Sequence, residues 1–346
     1  MGGTGSRSSV TDLAQFANIS FTTGAGSACG YHPAVRRSAV LVVAAASLGL
    51  AVVLALAGVG EEPGALDDWQ AFTLGIVQGA TELLPISSSG HLILVPWLGD
   101  WTFLKDSDSF NQTFDVALHL GTMLAVGAYF FADLVVLLRA WLRTLATRRI
   151  ADDDEKVAWV IVVATIPAAL IGFLLEEPIA THLGEPWQIA ILLAVFALVL
   201  LAADRRPRDR RPAGLSLRQG VLVGLAQSLA LMPGVSRSGI TITAARLLRL
   251  DRDSAARLSF LLLVPIVLGA VLFKGLTDVV LGDLPTGWQG PFVVGVLASL
   301  GSGLLVIEWL LGYVRRHTYG LFVVYRLAAA VAVLLVIATG LRGAGF

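Results

Sequence analysis

The sequence predicts an all-α polytopic membrane protein. It has six core transmembrane helices, two inverted-repeat re-entrant helix pairs and one extra N-terminal hydrophobic helix. Three observations predict this. The chain is 56% hydrophobic and 14% charged, with mean hydropathy +0.77. Several apolar runs approach the roughly 20 residues that span a bilayer as a helix. Two polar segments interrupt the apolar sequence with Gly, Pro and Ser while carrying Glu, His and Arg. The period-two alternation of a membrane β-barrel is absent.

Residues 1–37 form a Gly/Ser/Thr-rich leader of disordered composition. Arg36 and Arg37 precede the uncharged run 38–60. That run exceeds the about 7–15 residues of a signal-peptide core, so a retained helix is expected there. The core spans follow at 116–132 (carrying only His119), 157–175, 186–203, 258–273, 284–307 and 319–341. Gly and Ala scattered through them suit close packing of membrane helices. Arg326 interrupts the last run and is expected to snorkel to the cytoplasmic interface. Segments 69–99 and 216–249 are the re-entrant pairs.

Charge placement sets the topology. Basic residues cluster at Arg36–Arg37, at Arg139–Arg149, at Arg205–Arg211 and at Arg315–Arg316, between links that are acidic or neutral. With the basic links cytoplasmic, the alternation closes only if each of the two polar segments enters and leaves on one side. An internal repeat agrees. Gly75–Gly90 aligns on Gly224–Gly239, pairing Gly75/Gly224, Gln78/Gln227, Ser87/Ser236, Ser89/Ser238 and Gly90/Gly239. Inverted repeats whose broken helices meet near the bilayer midplane place their sites there. The zero net charge implies no nucleic-acid partner. The single cysteine, Cys29, excludes an intramolecular disulfide.

The breaks carry chemistry. Gln78 and Glu82 lie i,i+4 on one helix face, Pro85 closes that helix, and Ser87–Ser88–Ser89 caps the next. Ser88 and His91 then share a face. At the second break Pro233–Gly234 ends a helix, and Ser236, Arg237 and Ser238 open another. Two helix starts of about +0.5 each plus Arg237 total about +2, which suits a phosphate or diphosphate. Ionised Glu82 lowers that to about +1, so either Glu82 is protonated or a divalent cation joins it. Taken singly, a serine run is usually a cap, and a lone histidine is as often a bonded core residue. Their co-occurrence with Glu82 and Arg237 at repeat-related breaks favours a site. His119 is expected to line the cavity or to bond a neighbouring carbonyl. Asp115 is left outside the expected site.

At these residues the chain resembles the bacterial undecaprenyl-diphosphate phosphatases, the bacitracin-resistance family. The first motif is Gln78-Gly79-Ala80-Thr81-Glu82 followed by Pro85-Ile86-Ser87-Ser88-Ser89-Gly90-His91. The second is Pro233-Gly234-Val235-Ser236-Arg237-Ser238-Gly239 with Thr241. The resemblance covers about 67–341. Gln78 stands where many members carry glutamate, so a metal role shared by two carboxylates does not transfer directly. The resemblance implies hydrolysis of undecaprenyl diphosphate to undecaprenyl phosphate and inorganic phosphate. That reaction recycles the cell-wall lipid carrier and confers bacitracin resistance.

It further implies a multi-pass protein of the bacterial cell membrane, with its site open to the extracytoplasmic face. The expected catalytic residues are Glu82, Ser88, His91 and Arg237, with Ser88 as nucleophile and His91 the alternative. Gln78, Ser87, Ser236, Ser238 and Thr241 are expected to bind substrate. A divalent cation, Mg2+ or Ca2+, would be held by Glu82 with Gln78. The expected partners are the polyprenyl diphosphate and the lipid bilayer, and a homodimer is compatible with both. Two rivals remain. Type-2 phosphatidic-acid phosphatases need a histidine soon after their Ser-Arg, whereas here the next is His317. A secondary transporter would share the broken repeats.

Overall fold

The computed structural model describes residues 33–58, 66–101, 108–207, 210–282 and 287–345. Most of the expected leader lies outside them. The first helix, α1 (Pro33–Ala57), begins ahead of the apolar run expected at 38–60 and takes in Arg36 and Arg37. It is followed by α2 (Asp68–Leu83) and α3 (Ser88–Gly99), then α4 (Asp108–Tyr129), α5 (Phe131–Thr147), α6 (Asp153–His182) and α7 (Pro186–Asp204). The second half contains α8 (Leu217–Ser228), α9 (Arg237–Leu247), α10 (Arg252–Lys274), α11 (Gln289–Val314) and α12 (Gly320–Ala338). Six of these helices are long and apolar enough to cross a membrane. The pair α4–α5, bent by 85°, makes a seventh candidate.

The bend falls at Phe130, inside the run expected as one straight span at 116–132. Beyond it, α5 buries only the stripe Asp133, Leu137, Ala140 and Thr144. That narrow stripe docks it on α6.

The two polar segments fold as matching helix pairs. Both first helices open with a capping box, Asp67 with Gln70 and Ser216 with Gln219, which satisfies two otherwise orphaned N–H groups. Each then ends before a proline. Leu84 and Met232 precede Pro85 and Pro233 and take extended backbone, as clash with a proline ring demands. The next helices begin from Ser87 and Ser236, whose φ values are 78° and 76°.

The halves interlock. α2 packs on α11 of the second half, and α8 packs on α6 of the first. Small residues permit these close approaches. A Cβ added at Gly79 would collide with Ser302 Oγ and Ser299 O, and one at Gly224 with the Ala164 carbonyl. α1 docks on α11 through Val40, Ala44, Ser47, Ala51 and Ala55, and Gly301 receives Leu48 and Ala44.

Candidate active site

The two breaks meet and are stitched across. Ser87 Oγ accepts from Gly90 N (3.3 Å) within its own turn and from Gly234 N (3.0 Å) in the other. Ser238 Oγ donates to Leu84 O at 2.8 Å. Ser236 Oγ accepts from Gly239 N (3.0 Å) and pairs with Ser238 Oγ (3.2 Å). The positive φ of a non-glycine residue costs on the order of 1–3 kcal/mol and persists where surrounding contacts enforce it. At Ser87 and Ser236 these bonds do so. The strained turns aim the next residues, Ser88 and Arg237, at one point.

That point is Glu82, at the end of α2 and 3% exposed. Arg237 donates to Glu82 Oε1 from Nε (3.1 Å) and Nη2 (2.9 Å). Ser88 Oγ donates to Oε2, which also accepts from Gln78 Nε2 at 3.3 Å. His119 Nε2 stands 3.4 Å from the same oxygen, while its Nδ1 donates to Asp115 O at 2.7 Å. So His119 reaches both a carbonyl and the site. The remaining Arg237 nitrogen, Nη1, donates to Ser259 O at 2.7 Å. Thr241 Oγ1 bonds Arg237 O (2.8 Å) and Ser259 Oγ (2.7 Å).

The expected residues therefore separate. Glu82, Ser88, Arg237 and Gln78 form one bonded cluster. The hydroxyls of Ser87, Ser236, Ser238 and Thr241 are committed to backbone, to one another and, for Thr241, to Ser259 Oγ. His91 does not join Ser88. Its Nδ1 donates to Ser87 O at 2.6 Å, which leaves Nε2 to accept from Tyr325 Oη at 2.7 Å.

Arg326 departs from expectation. Instead of snorkelling it is fully buried and donates to carbonyls of both breaks and of α7. The cause is local. Helices interrupted by Pro85 and Pro233 leave carbonyls without amide donors, and buried carbonyls need partners. His119 meets both of its expected roles, and Arg326, though its contacts were misread, stands out in sequence as an ionisable group in an apolar run. Ser259 and Tyr325 carry no such signal.

Two oxygens of the site bear on cation binding. Gln78 Oε1 is buried without a hydrogen-bond partner. It lies on the helix face of the Glu82 carboxylate, so the chain offers two oxygen donors. No group of three or more His, Cys, Asp or Glu able to hold a metal occurs among the described residues. As placed, Gln78 presents Nε2 to Glu82, so the two oxygens suit a hard cation only with the amide turned over.

The fold is that of a polytopic helical membrane protein, with a carboxylate, a serine and an arginine joined at its paired helix breaks. The chain belongs to the bacitracin resistance protein BacA family, whose model matches residues 71–332. It is similar to the protein named undecaprenyl-diphosphatase of Pelotomaculum thermopropionicum, 44% identical over 78% of this chain and 97% of the relative. It is also similar to those of the same name of Thermomicrobium roseum, 45% identical over 78% and 98%, and Trichlorobacter lovleyi, 46% identical over 80% and 99%.

Proposed function

We propose that the chain is an undecaprenyl-diphosphate phosphatase. It hydrolyses undecaprenyl diphosphate to the monophosphate carrier and inorganic phosphate, and so confers bacitracin resistance. The observation that carries the mechanism is the hydrogen bond of Ser88 Oγ to Glu82 Oε2, with Arg237 on the other carboxylate oxygen. A nucleophile bonded to a base beside an anion-binding cation is the arrangement covalent phosphoryl transfer requires.

Arg237 spans the position a phosphoryl group would take. An arriving diphosphate competes for its guanidinium, which matches phosphate oxygens as well as it matches a carboxylate. Release of that pair frees Glu82 as a base. Ser88 Oγ attacks the terminal phosphorus while its proton passes to Glu82. The bond to the bridging oxygen breaks, and the polyprenyl phosphate departs. Arg237 holds the charge on the equatorial oxygens. Glu82 gives the proton it took to the departing phosphate, then takes one from a water that attacks the phosphoserine and returns it to Ser88 Oγ, releasing inorganic phosphate and restoring the hydroxyl.

Glu82 and Gln78 Oε1 would hold a divalent cation, Mg2+ or Ca2+, which when bound neutralises phosphate charge. His91, bonded to Tyr325, is the reserve nucleophile. The basic helix ends support a plasma-membrane topology with them in the cytoplasm and the site open to the opposite face. On this reading each helix pair α2–α3 and α8–α9 returns to its side of entry.

The test uses purified protein in detergent, a polyprenyl diphosphate labelled in its terminal phosphate, and a neutral denaturing quench that preserves both phosphoserine and phosphohistidine. Wild type should release phosphate and yield a labelled Ser88 peptide, and Ser88→Ala should lose at least about a thousandfold in kcat. Label on His91, or near-normal turnover by Ser88→Ala, would overturn the assignment.

A further inference from the structure

Arg326 is a fully buried cation that the proposed mechanism does not use. It leaves α12 and reaches both breaks at once. Nε donates to Leu193 O at 3.1 Å and Nη1 to Pro85 O at 3.2 Å. Nη2 donates to Gly234 O (2.9 Å) and Val235 O (3.1 Å), with Leu192 O at 3.5 Å. These bonds all go to carbonyl oxygens.

The acceptors are informative. Val235 directly precedes Ser236, and Pro85 stands two residues before Ser87. These are the two serines held at positive φ, and the next residue after each is Ser88 or Arg237. A planar guanidinium with five donors in a fixed fork holds several acceptors in set directions. Here that fork fixes one break relative to the other and ties both to the α7 backbone. Gly239 fits the same arrangement, because a Cβ there would stand 3.0 Å from Arg326 Nη1.

We infer that Arg326 is a positioning residue for the reaction: through the Pro85, Gly234 and Val235 carbonyls it sets the register between the Ser88 turn and the Arg237 turn. This rests on the diphosphatase reading above. It touches neither substrate nor Glu82 in this role. Its removal should therefore lower the rate of the chemical step more than substrate binding. Misplacement of a reacting pair by about 1 Å costs on the order of a hundredfold.

The experiment compares Arg326→Lys and Arg326→Gln with wild type in detergent. It measures thermal unfolding, kcat and KM for a polyprenyl diphosphate. Lysine keeps the charge but presents a single ammonium that cannot span acceptors on both turns. In folded Arg326→Lys, kcat should fall about a hundredfold with KM within about threefold, and Arg326→Gln should fall further. A folded lysine variant with wild-type kcat overturns the inference and leaves the diphosphatase reading intact. So does a loss carried entirely by KM. If neither variant folds, Arg326 serves assembly of the fold alone, and the inference fails. Absence of phosphate release by wild type would instead overturn the diphosphatase reading and this inference with it.

Discussion

Glu82 is where the polar contacts of the site converge: two nitrogens of Arg237 on one oxygen, Ser88, Gln78 and His119 on the other. A carboxylate buried among lipid-facing helices is tolerable because it is paired and hydrogen-bonded on both oxygens. Glu82→Gln keeps the volume but removes the base and the counter-charge. It should lower kcat by about 10²–10⁴, read from phosphate release at saturating substrate. Activity within severalfold of wild type would remove Glu82 from proton transfer. At this scale the sequence was legible where chemistry stands against hydrocarbon. Glu82, Ser88 and Arg237 stand out beside helix breakers, and the structure joins them. The pairings were less legible. Ser88 and His91 share a helix face by spacing, yet Ser88 turns to α2 and His91 to Tyr325 of α12. Such partners depend on packing of distant helices, which local spacing does not encode.

The broken helix pairs show how a repeat can be copied in backbone and diverge in side chain. Capping boxes, proline stops and positive-φ serines recur in both. The residue after each serine is Ser88 in one copy and Arg237 in the other, so one geometry delivers a hydroxyl and a cation to Glu82. Glycine patterning sets how deeply the pairs seat. α2 touches α11 so closely at Gly79 that a larger side chain would strike Ser302 and the Ser299 carbonyl. Gly79→Leu should destabilise the fold by about 1–3 kcal/mol through overpacking, seen as a lower unfolding midpoint in detergent. An unchanged midpoint would mean that α2 is free to move off α11. The breaks themselves were readable from Pro85 and Pro233. The 85° bend between α4 and α5 was not, because no proline marks Phe130 and the nearby Gly127 lies within α4.

Across the whole molecule a second polar network locks the helix ends near the basic links. Asp204, at the end of α7, accepts from Arg246 Nε (3.2 Å), Arg252 Nε (2.7 Å) and Nη2 (3.0 Å), and Tyr319 N (3.1 Å). It thereby joins α7, α9, α10 and α12. Asp204→Asn would leave two buried arginines without their counter-ion. It should cost about 3–5 kcal/mol, measured by thermal unfolding, with kcat of the folded fraction retained. A variant as stable as wild type would show that backbone carbonyls alone hold those arginines. The membrane class and span order were legible because hydropathy reports them directly. Arg326 was misplaced by the same reasoning, since hydropathy cannot see carbonyls left bare by helices broken elsewhere in the chain. The proposed phosphate-handling centre at the two breaks stands or falls on phosphate release from a polyprenyl diphosphate by purified protein, wild type against Arg237→Ala. Wild type should turn over, and the variant should lose about 10³-fold or more. Equal turnover by the two proteins would contradict it.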